Sequence, residues 1–250
     1  MLTDFDGTLA PIVDDPATSR PLPEAVDVLH GLAARYRRVA VVSGRPAGFL
    51  ASHLALHGRP DGAGEAGEGL VAVGLYGLER AEDGRVRADD RAACWAPVVD
   101  RLAEVARREA PPGLGVEHKG VSLTLHYRTA PQLGEWARAW AADQAAATGL
   151  VLHAARMSEE LRPPVEVDKG TAVAELSEGL AAVCFVGDDV GDVPAFTTLD
   201  RLADRGVAVL KAAVRSDESP PELLERADVV VDGPEGAVAL LSRLLDVPTS

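Results

Sequence analysis

The chain predicts an α/β fold: a Rossmann-like parallel-sheet core carrying an inserted α+β domain. Three observations point there. Short, continuously apolar, β-branched segments recur, as at Val39–Val42, Leu70–Leu75 and Ala182–Val186, the pattern of strands buried on both faces of a parallel sheet. Segments of helical period lie between them, so strand and helix alternate. From residue 81 to 159 the character changes to long amphipathic helices and alternating strands, which marks the insert. The expected core is therefore 1–80 with 160–250, and the expected insert 81–159.

Taken in order, Leu2–Phe5 is a first strand, short for a central one and suited to a chain that begins late. Residues 14–23, with three prolines, form a loop, and Pro23 opens a helix to Arg35 with Ala25, Val28, Leu29 and Leu32 on one side. Val39–Val42 is the second strand, and a helix follows over Ala47–Leu56. The polar, Gly-rich stretch 58–69 is a loop before the strand Leu70–Leu75. Residues 82–85 read as a hairpin-like turn. In the insert, Asp90–Arg108 is a helix, and 114–128 is either two half-exposed strands joined at Lys119-Gly120 or one bent strand. Pro131–Thr148 is a helix and Leu150–Ala154 a strand. Trp95, Trp136 and Trp140 all fall here, at helical positions that suit packing. The core then resumes with a helix Lys169–Gly179, the strand Ala182–Val186, a helix Asp192–Arg205, strands Val207–Leu210 and Asp228–Val231, and a helix Gly236–Leu245.

Composition narrows the function. The net charge of −14 argues against nucleic acid or an anionic membrane surface as partner, and no apolar run is long enough to span a bilayer. No signal peptide is read, and Cys184 sits in an apolar run as a small hydrophobe, so a reduced cytoplasmic protein is expected.

In a parallel sheet, ligands bind at the carboxyl ends of the strands. Asp4 and Asp6 follow the first strand, Ser43 the second, and Asp188 and Asp189 the strand after the insert, with Lys169 at the start of the helix before it. Each has a plain explanation alone: an Asx turn, a helix cap, a solvated lysine. Their coincidence on one sheet edge fits a phosphotransfer site better. Two like charges as close as Asp4 and Asp6 repel by about 4 kcal/mol at 4 Å and an effective dielectric near 20, so a cation or a shared proton must offset them. In this reading Asp4 attacks phosphorus, Asp6 serves as acid and then base, and Ser43 and Lys169 hold the phosphoryl oxygens. Asp188, Asp4 and the main-chain carbonyl of Asp6 hold a hard cation, for which Mg²⁺ is the expected choice.

This constellation resembles the haloacid dehalogenase superfamily: D-F-D-G-T at 4–8 matches its first motif, Ser43 its second, Lys169 its third and G-D-D-V-G-D at 187–192 its fourth. S-G-R at 43–45, G-L-Y-G-L-E at 74–79, E-H-K-G-V-S-L-T-L-H-Y-R at 117–128 and R-P before D-K-G look like the trehalose-6-phosphate phosphatases. The 117–128 string is the most specific of these. The resemblance implies an insert of the C2 cap type, and Asp189 and Asp192 join Asp4, Asp6 and Asp188 around Mg²⁺. It implies Gly44, Arg45, Glu79, Glu117, Lys119 and Arg128 at the substrate. Strand alternation sets Ser122, Thr124 and His126 on a polar face, opposite Val121, Leu123 and Leu125. Gly191 stands where that family usually has Thr, which predicts a softer fourth-motif loop. The implied function is hydrolysis of trehalose 6-phosphate, with the cognate sugar-phosphate synthase as a candidate partner. The competing readings are another substrate (a hexose phosphate, a glycosyl phosphoglycerate or a validoxylamine-type pseudo-disaccharide phosphate) or a non-catalytic sugar-phosphate sensor.

Overall fold

The computed structural model describes residues 1–13, 15–56, 69–82, 84–155, 157–217 and 219–247. The chain divides into two compact units, Met1–Arg87 with Val167–Ser250, and Ala88–Glu166. The loop expected at 58–69 lies, except for Gly69, outside the described residues, as does Asp83 of the turn at 82–85.

The first unit begins with β1 (Leu2–Thr3), α1 (Pro23–Arg35), β2 (Val39–Val42), α2 (Ala47–His53) and β3 (Leu70–Gly74). Strand β1 stops two residues short of the expected Phe5, because Leu9 and Ala10 N–H both bond to the Phe5 carbonyl and close a tight loop. Next come β4 (Glu79–Glu82), antiparallel to β3, and β5 (Arg85–Ala88). These two strands lie on the core sheet, so the insert begins later than residue 81.

The second unit contains α3 (Asp90–Ala93), α4 (Ala96–Glu109), β6 (Gly115–His118), β7 (Leu123–His126), α5 (Gly134–Thr148), β8 (Val151–Ala155) and β9 (Ser158–Arg162). The single helix expected over 90–108 is two, since Pro97 lacks an N–H and its ring would clash one turn back at Ala93. Of the two readings of 114–128, the pair of strands is correct, turning at Gly120 with φ +79°. Strand β9 was not anticipated, because S-E-E-L-R reads as polar; it pairs with both β7 and β8 and carries the insert past residue 159. The sheet order is β6-β7-β9-β8. One face holds Leu123, Leu125 and Leu161 against Val99, Leu102 and Ala106 of α4 and Ala137, Trp140 and Ala141 of α5. The other carries a polar row across the strands, Glu117–Thr124–Glu160–His153 in register. All three tryptophans pack in this apolar cluster; Trp140 also donates its indole N–H to Glu109 at 2.9 Å.

The first unit then resumes with α6 (Lys169–Leu176), β10 (Ala182–Gly187), α7 (Val193–Ala203), β11 (Ala208–Arg215), α8 (Pro221–Arg226), β12 (Val229–Asp232) and α9 (Gly233–Leu245). Helix α8 is a short addition to the expected elements. The sheet runs β12-β11-β10-β1-β2-β3-β4-β5, with its first six strands parallel. Alternation resolves the all-apolar strands: Val39 and Val41 meet α1, α2 and α9, while Ala40 and Val42 belong to the cluster with α6 and α7. The chain leaves β1 toward β2 and β3 on one side and returns through α6 to β10 and β11 on the other. That makes the crevice between β1 and β10 the topological switch point, where such sheets bind ligands.

Candidate active site

Asp4 leaves the carboxyl end of β1, and Asp188 leaves the end of β10 beside it. Both are buried, at 4% and 2% exposure. Lys169, the first residue of α6, is buried at the start of a helix that Asp168 caps by accepting from Thr171 N–H. Its Nζ lies 2.8 Å from Asp4 Oδ1, 2.7 Å from Asp192 Oδ1 and 3.9 Å from Asp189 Oδ1. Asp192, with no exposed surface, also accepts from the main-chain N–H of Asp188 and of Asp189 through its other oxygen. It thereby fixes the fourth-motif loop and the lysine together. Thr8 Oγ1 donates to Asp188 Oδ1 at 3.0 Å.

Gly7 is required here. Its φ is +74°, and a Cβ at this position would stand 2.0 Å from Asp188 Oδ2. At Gly191, the N–H bonds to Asp189 Oδ1 at 2.8 Å, where Asp189 is the N-cap of the short 3₁₀ turn at 190–192.

Three carboxylates, Asp4, Asp189 and Asp192, therefore lie within 4 Å of one ammonium, with Asp188 a fourth in the cluster. Burial first, and then Asp192, Asp188 and Asp189, push the Asp4 carboxyl well above its usual range, against the opposing pull of Lys169. Burial and the neighbours Asp192 and Asp189 raise Asp188 to about 8. Burial raises Asp192 to about 6, with Lys169 opposing. Lys169, although penalised by burial, is held charged by Asp192 and Asp4. This surplus of negative charge, made of oxygen donors only, fits a hard divalent cation. Among the described residues, Asp4, Asp189 and Asp192 can each bring a carboxylate oxygen within 4.8 Å of the others.

Asp6 is drawn to other partners than Asp4. Both of its oxygens are engaged: Arg45 Nε donates to Oδ2 at 2.6 Å, and Arg45 Nη2 and Ser19 Oγ donate to Oδ1 at 2.8 Å each. Ser43, buried at the end of β2, accepts the Arg45 main-chain N–H on its Oγ at 3.2 Å. Gly44 leaves room for Tyr76, whose Oη would be 2.5 Å from a Cβ there. Glu79 Oε2 accepts the Ala47 N–H at 2.8 Å and so caps α2 from β4.

In the second unit, Lys119 Nζ lies 3.4 Å from Glu160 Oε1 and 3.7 Å from Glu117 Oε2. Ser122 Oγ and Arg162 Nε donate to Glu160 at 2.9 and 2.7 Å, and Glu117 meets His126 Nε2 at 2.7 Å. Burial alone would raise the Glu160 carboxyl, but Lys119 and Arg162 more than offset it and hold it below its usual value. Arg128 follows β7 and is half-buried. Glu160 and Ser19 escaped the sequence reading. The register of Glu160 with Thr124 becomes visible only once β9 is recognised, and Ser19 sits in a loop with no periodicity to mark it.

The trehalose-phosphatase family model matches residues 2–224. A trehalose-phosphate phosphatase of Mycolicibacterium paratuberculosis is 34% identical over 257 residues, covering 97% of this chain and 61% of that protein. The chain thus spans about three fifths of the length of the curated relative it matches. A solved trehalose-6-phosphate phosphatase related protein superposes with a TM-score of 0.77 at 22% identity, covering 98% of this chain and 97% of its own. The C-terminal domain of the Candida albicans trehalose-6-phosphate phosphatase gives 0.71 at 22% identity, covering 99% and 91%. At these identities the structural matches establish the fold, that of the haloacid dehalogenase-like hydrolases.

Proposed function

The chain belongs to the trehalose-phosphatase family, and from that premise we propose that it hydrolyses trehalose 6-phosphate to trehalose and phosphate, through a phosphoryl group carried on Asp4 and with Mg²⁺ bound. The observation that carries this reading is Lys169 set between Asp4 and Asp192 in a buried cluster of surplus carboxylates. Asp4 Oδ attacks phosphorus while the bond to the sugar oxygen breaks, and that oxygen takes a proton from Asp6. A water then attacks the phosphorus of the aspartyl-phosphate and gives its proton to Asp6, which releases phosphate and restores Asp4. Lys169 and Ser43 offset the charge spread over the phosphoryl oxygens. Asp4, Asp188, Asp189 and the Asp6 carbonyl would hold Mg²⁺, which when bound supplies a second positive centre for those oxygens. Asp192, with both oxygens engaged, serves by holding Lys169 and the loop.

Recognition of the sugar we assign to the polar face of the second unit, to Glu117, Lys119 and Arg128, with the buried Glu160 holding Lys119 in place. A dense set of charged donors and acceptors suits a polyol. We further propose the cytoplasm as compartment, on the composition and cysteine usage of the sequence, and the cognate synthase as a candidate partner. Separately, among the described residues no helix is long and apolar enough to cross a membrane. The test is phosphate release over a panel of sugar phosphates and an aryl phosphate, with and without Mg²⁺. The reading requires trehalose 6-phosphate to give the highest kcat/KM and exhaustive chelation to stop turnover. A hexose phosphate preferred tenfold or more would replace the substrate, and full activity after chelation would remove the cation.

A further inference from the structure

Asp6 has a confined set of open positions. Oδ1 already accepts two hydrogen bonds, from Ser19 Oγ and Arg45 Nη2, and Oδ2 accepts one, from Arg45 Nε. A carboxylate oxygen has two lone pairs. Oδ1 is therefore filled, and one position remains, on Oδ2.

The groups that impose this are themselves fixed. Ser19 is fully buried, although it lies in the proline-containing loop after β1. That loop is pinned where Leu22 N–H bonds to the Leu9 carbonyl at 2.8 Å, and it turns through a short 3₁₀ segment, Pro16–Thr18, capped by Asp15. Arg45 ties to the same loop, its Nη1 donating to the Pro16 carbonyl at 2.7 Å. Its guanidinium also lies 4.8 Å from the centre of the Phe49 ring, which in turn meets Phe5 edge-on at 5.9 Å.

We infer that Ser19 and Arg45, with Phe49 behind the guanidinium, are positioning residues that hold Asp6 so that its catalytic proton is given and taken at Oδ2. This rests on the reading of Asp6 as acid and base. It shifts Arg45 from the substrate, where the sequence placed it, to the proton-transfer group. In the first step the proton leaves Oδ2 for the sugar oxygen as the P–O bond breaks. In the second, the attacking water returns a proton to Oδ2. Oδ1 keeps its two donors throughout, which leaves the carboxyl no rotation to search.

The experiment uses the full chain with Mg²⁺ and compares wild type with Ser19→Ala, Ser19→Thr and Phe49→Leu. Rapid quench with enzyme in excess follows formation of the phosphoenzyme and its hydrolysis separately, on p-nitrophenyl phosphate and on trehalose 6-phosphate. The aryl oxide is a good leaving group and needs little acid assistance, so Ser19→Ala should change its formation rate by less than about twofold. The same variant should slow phosphoenzyme hydrolysis about tenfold, in line with loss of one hydrogen bond to a charged group. On trehalose 6-phosphate both steps should slow, with KM nearly unchanged. Ser19→Thr should restore the rates, and Phe49→Leu should show the same pattern more weakly. A raised KM with unchanged kcat, or equal slowing of formation and hydrolysis on the aryl phosphate, would overturn the inference. If wild type turns over the aryl phosphate but not trehalose 6-phosphate, the substrate reading fails while the aryl arm still decides the role of Ser19. A wild type that forms no phosphoenzyme overturns both.

Discussion

At the scale of single residues, the site separates two aspartates that the sequence sets side by side. Asp4 turns to Lys169 and Asp6 to Arg45 and Ser19, because the chain coils at Gly7 instead of continuing as a strand. Asp4→Asn is expected to abolish both turnover and phosphoenzyme, since an amide is a poor nucleophile. Asp6→Asn should still form some phosphoenzyme from an aryl phosphate while steady-state turnover falls about 10²–10⁴-fold. Wild-type rates in Asp4→Asn would reassign the nucleophile. Gly7→Ala is the sharpest steric test: a methyl group placed 2.0 Å from Asp188 Oδ2 at φ +74° has to move the carboxylate or the turn. The expected result is loss of Mg²⁺ binding by calorimetry together with a lower Tm, and an unchanged Mg²⁺ affinity would count against Asp188 as a ligand.

At the scale of elements, what could be read from the sequence was what repeats. The apolar strands and the helices between them carry a period, and so they could be placed. The groups at their ends, Asp4, Ser43, Lys169 and Asp188, could be listed because a parallel sheet puts its strand ends on one edge. Elements without that signal were missed: β9 is mostly polar because one of its faces is, and β4 carries charges because it lies near the sheet edge. The role of Glu79 depended on β4 and was out of reach for the same reason. Helix α2 begins after Pro46, which has no side-chain acceptor, and Glu79 supplies one across the sheet to the Ala47 N–H. Glu79→Ala should therefore cost stability, about 0.5–2 kcal/mol as for a lost cap. Glu79→Gln, which keeps an acceptor oxygen, should stay near wild type in thermal melts. If instead both substitutions left Tm unchanged and raised KM for the sugar phosphate, Glu79 would belong to substrate binding, as the sequence suggested. In the second unit, Lys119→Ala should lower kcat/KM for the sugar phosphate about tenfold or more and spare a small aryl phosphate. Equal losses on both would make the Lys119–Glu160 pair a support of the fold.

At the scale of the whole molecule, a chain of net charge −14 gathers buried carboxylates at one sheet edge and neutralises them incompletely. The cost appears as a dependence of stability on pH. Asp188 has an ordinary value of 3.8 and sits at about 8 in the folded protein, mainly through burial and then through Asp192 and Asp189. A carboxyl raised in this way keeps its proton when folded and loses it when unfolded. Its contribution is thus greatest below the unfolded value and declines as pH rises from about 4 to about 8. Asp192, raised to about 6, acts in the same direction over the lower part of that window. The depressed carboxyls of Asp200 and Glu160 act with the opposite sign, but only at acid pH near their ordinary values. His153, lowered mainly by burial, also opposes, through the neighbourhood of 6.5. Melting curves of wild type minus those of Asp188→Asn cancel the groups away from the cluster, Asp200, Glu160 and His153, and leave the titration of Asp188 together with its effect on Asp192. In metal-free buffer the difference in Tm should move against wild type as pH is raised from 5 to about 8. Saturating Mg²⁺ should flatten that decline, because the cation binds the ionised cluster and its stabilisation grows as protons leave. A metal-free difference that moved in favour of wild type with rising pH would mean that Lys169 already balances the cluster, and the case for a cation there would lose its electrostatic basis.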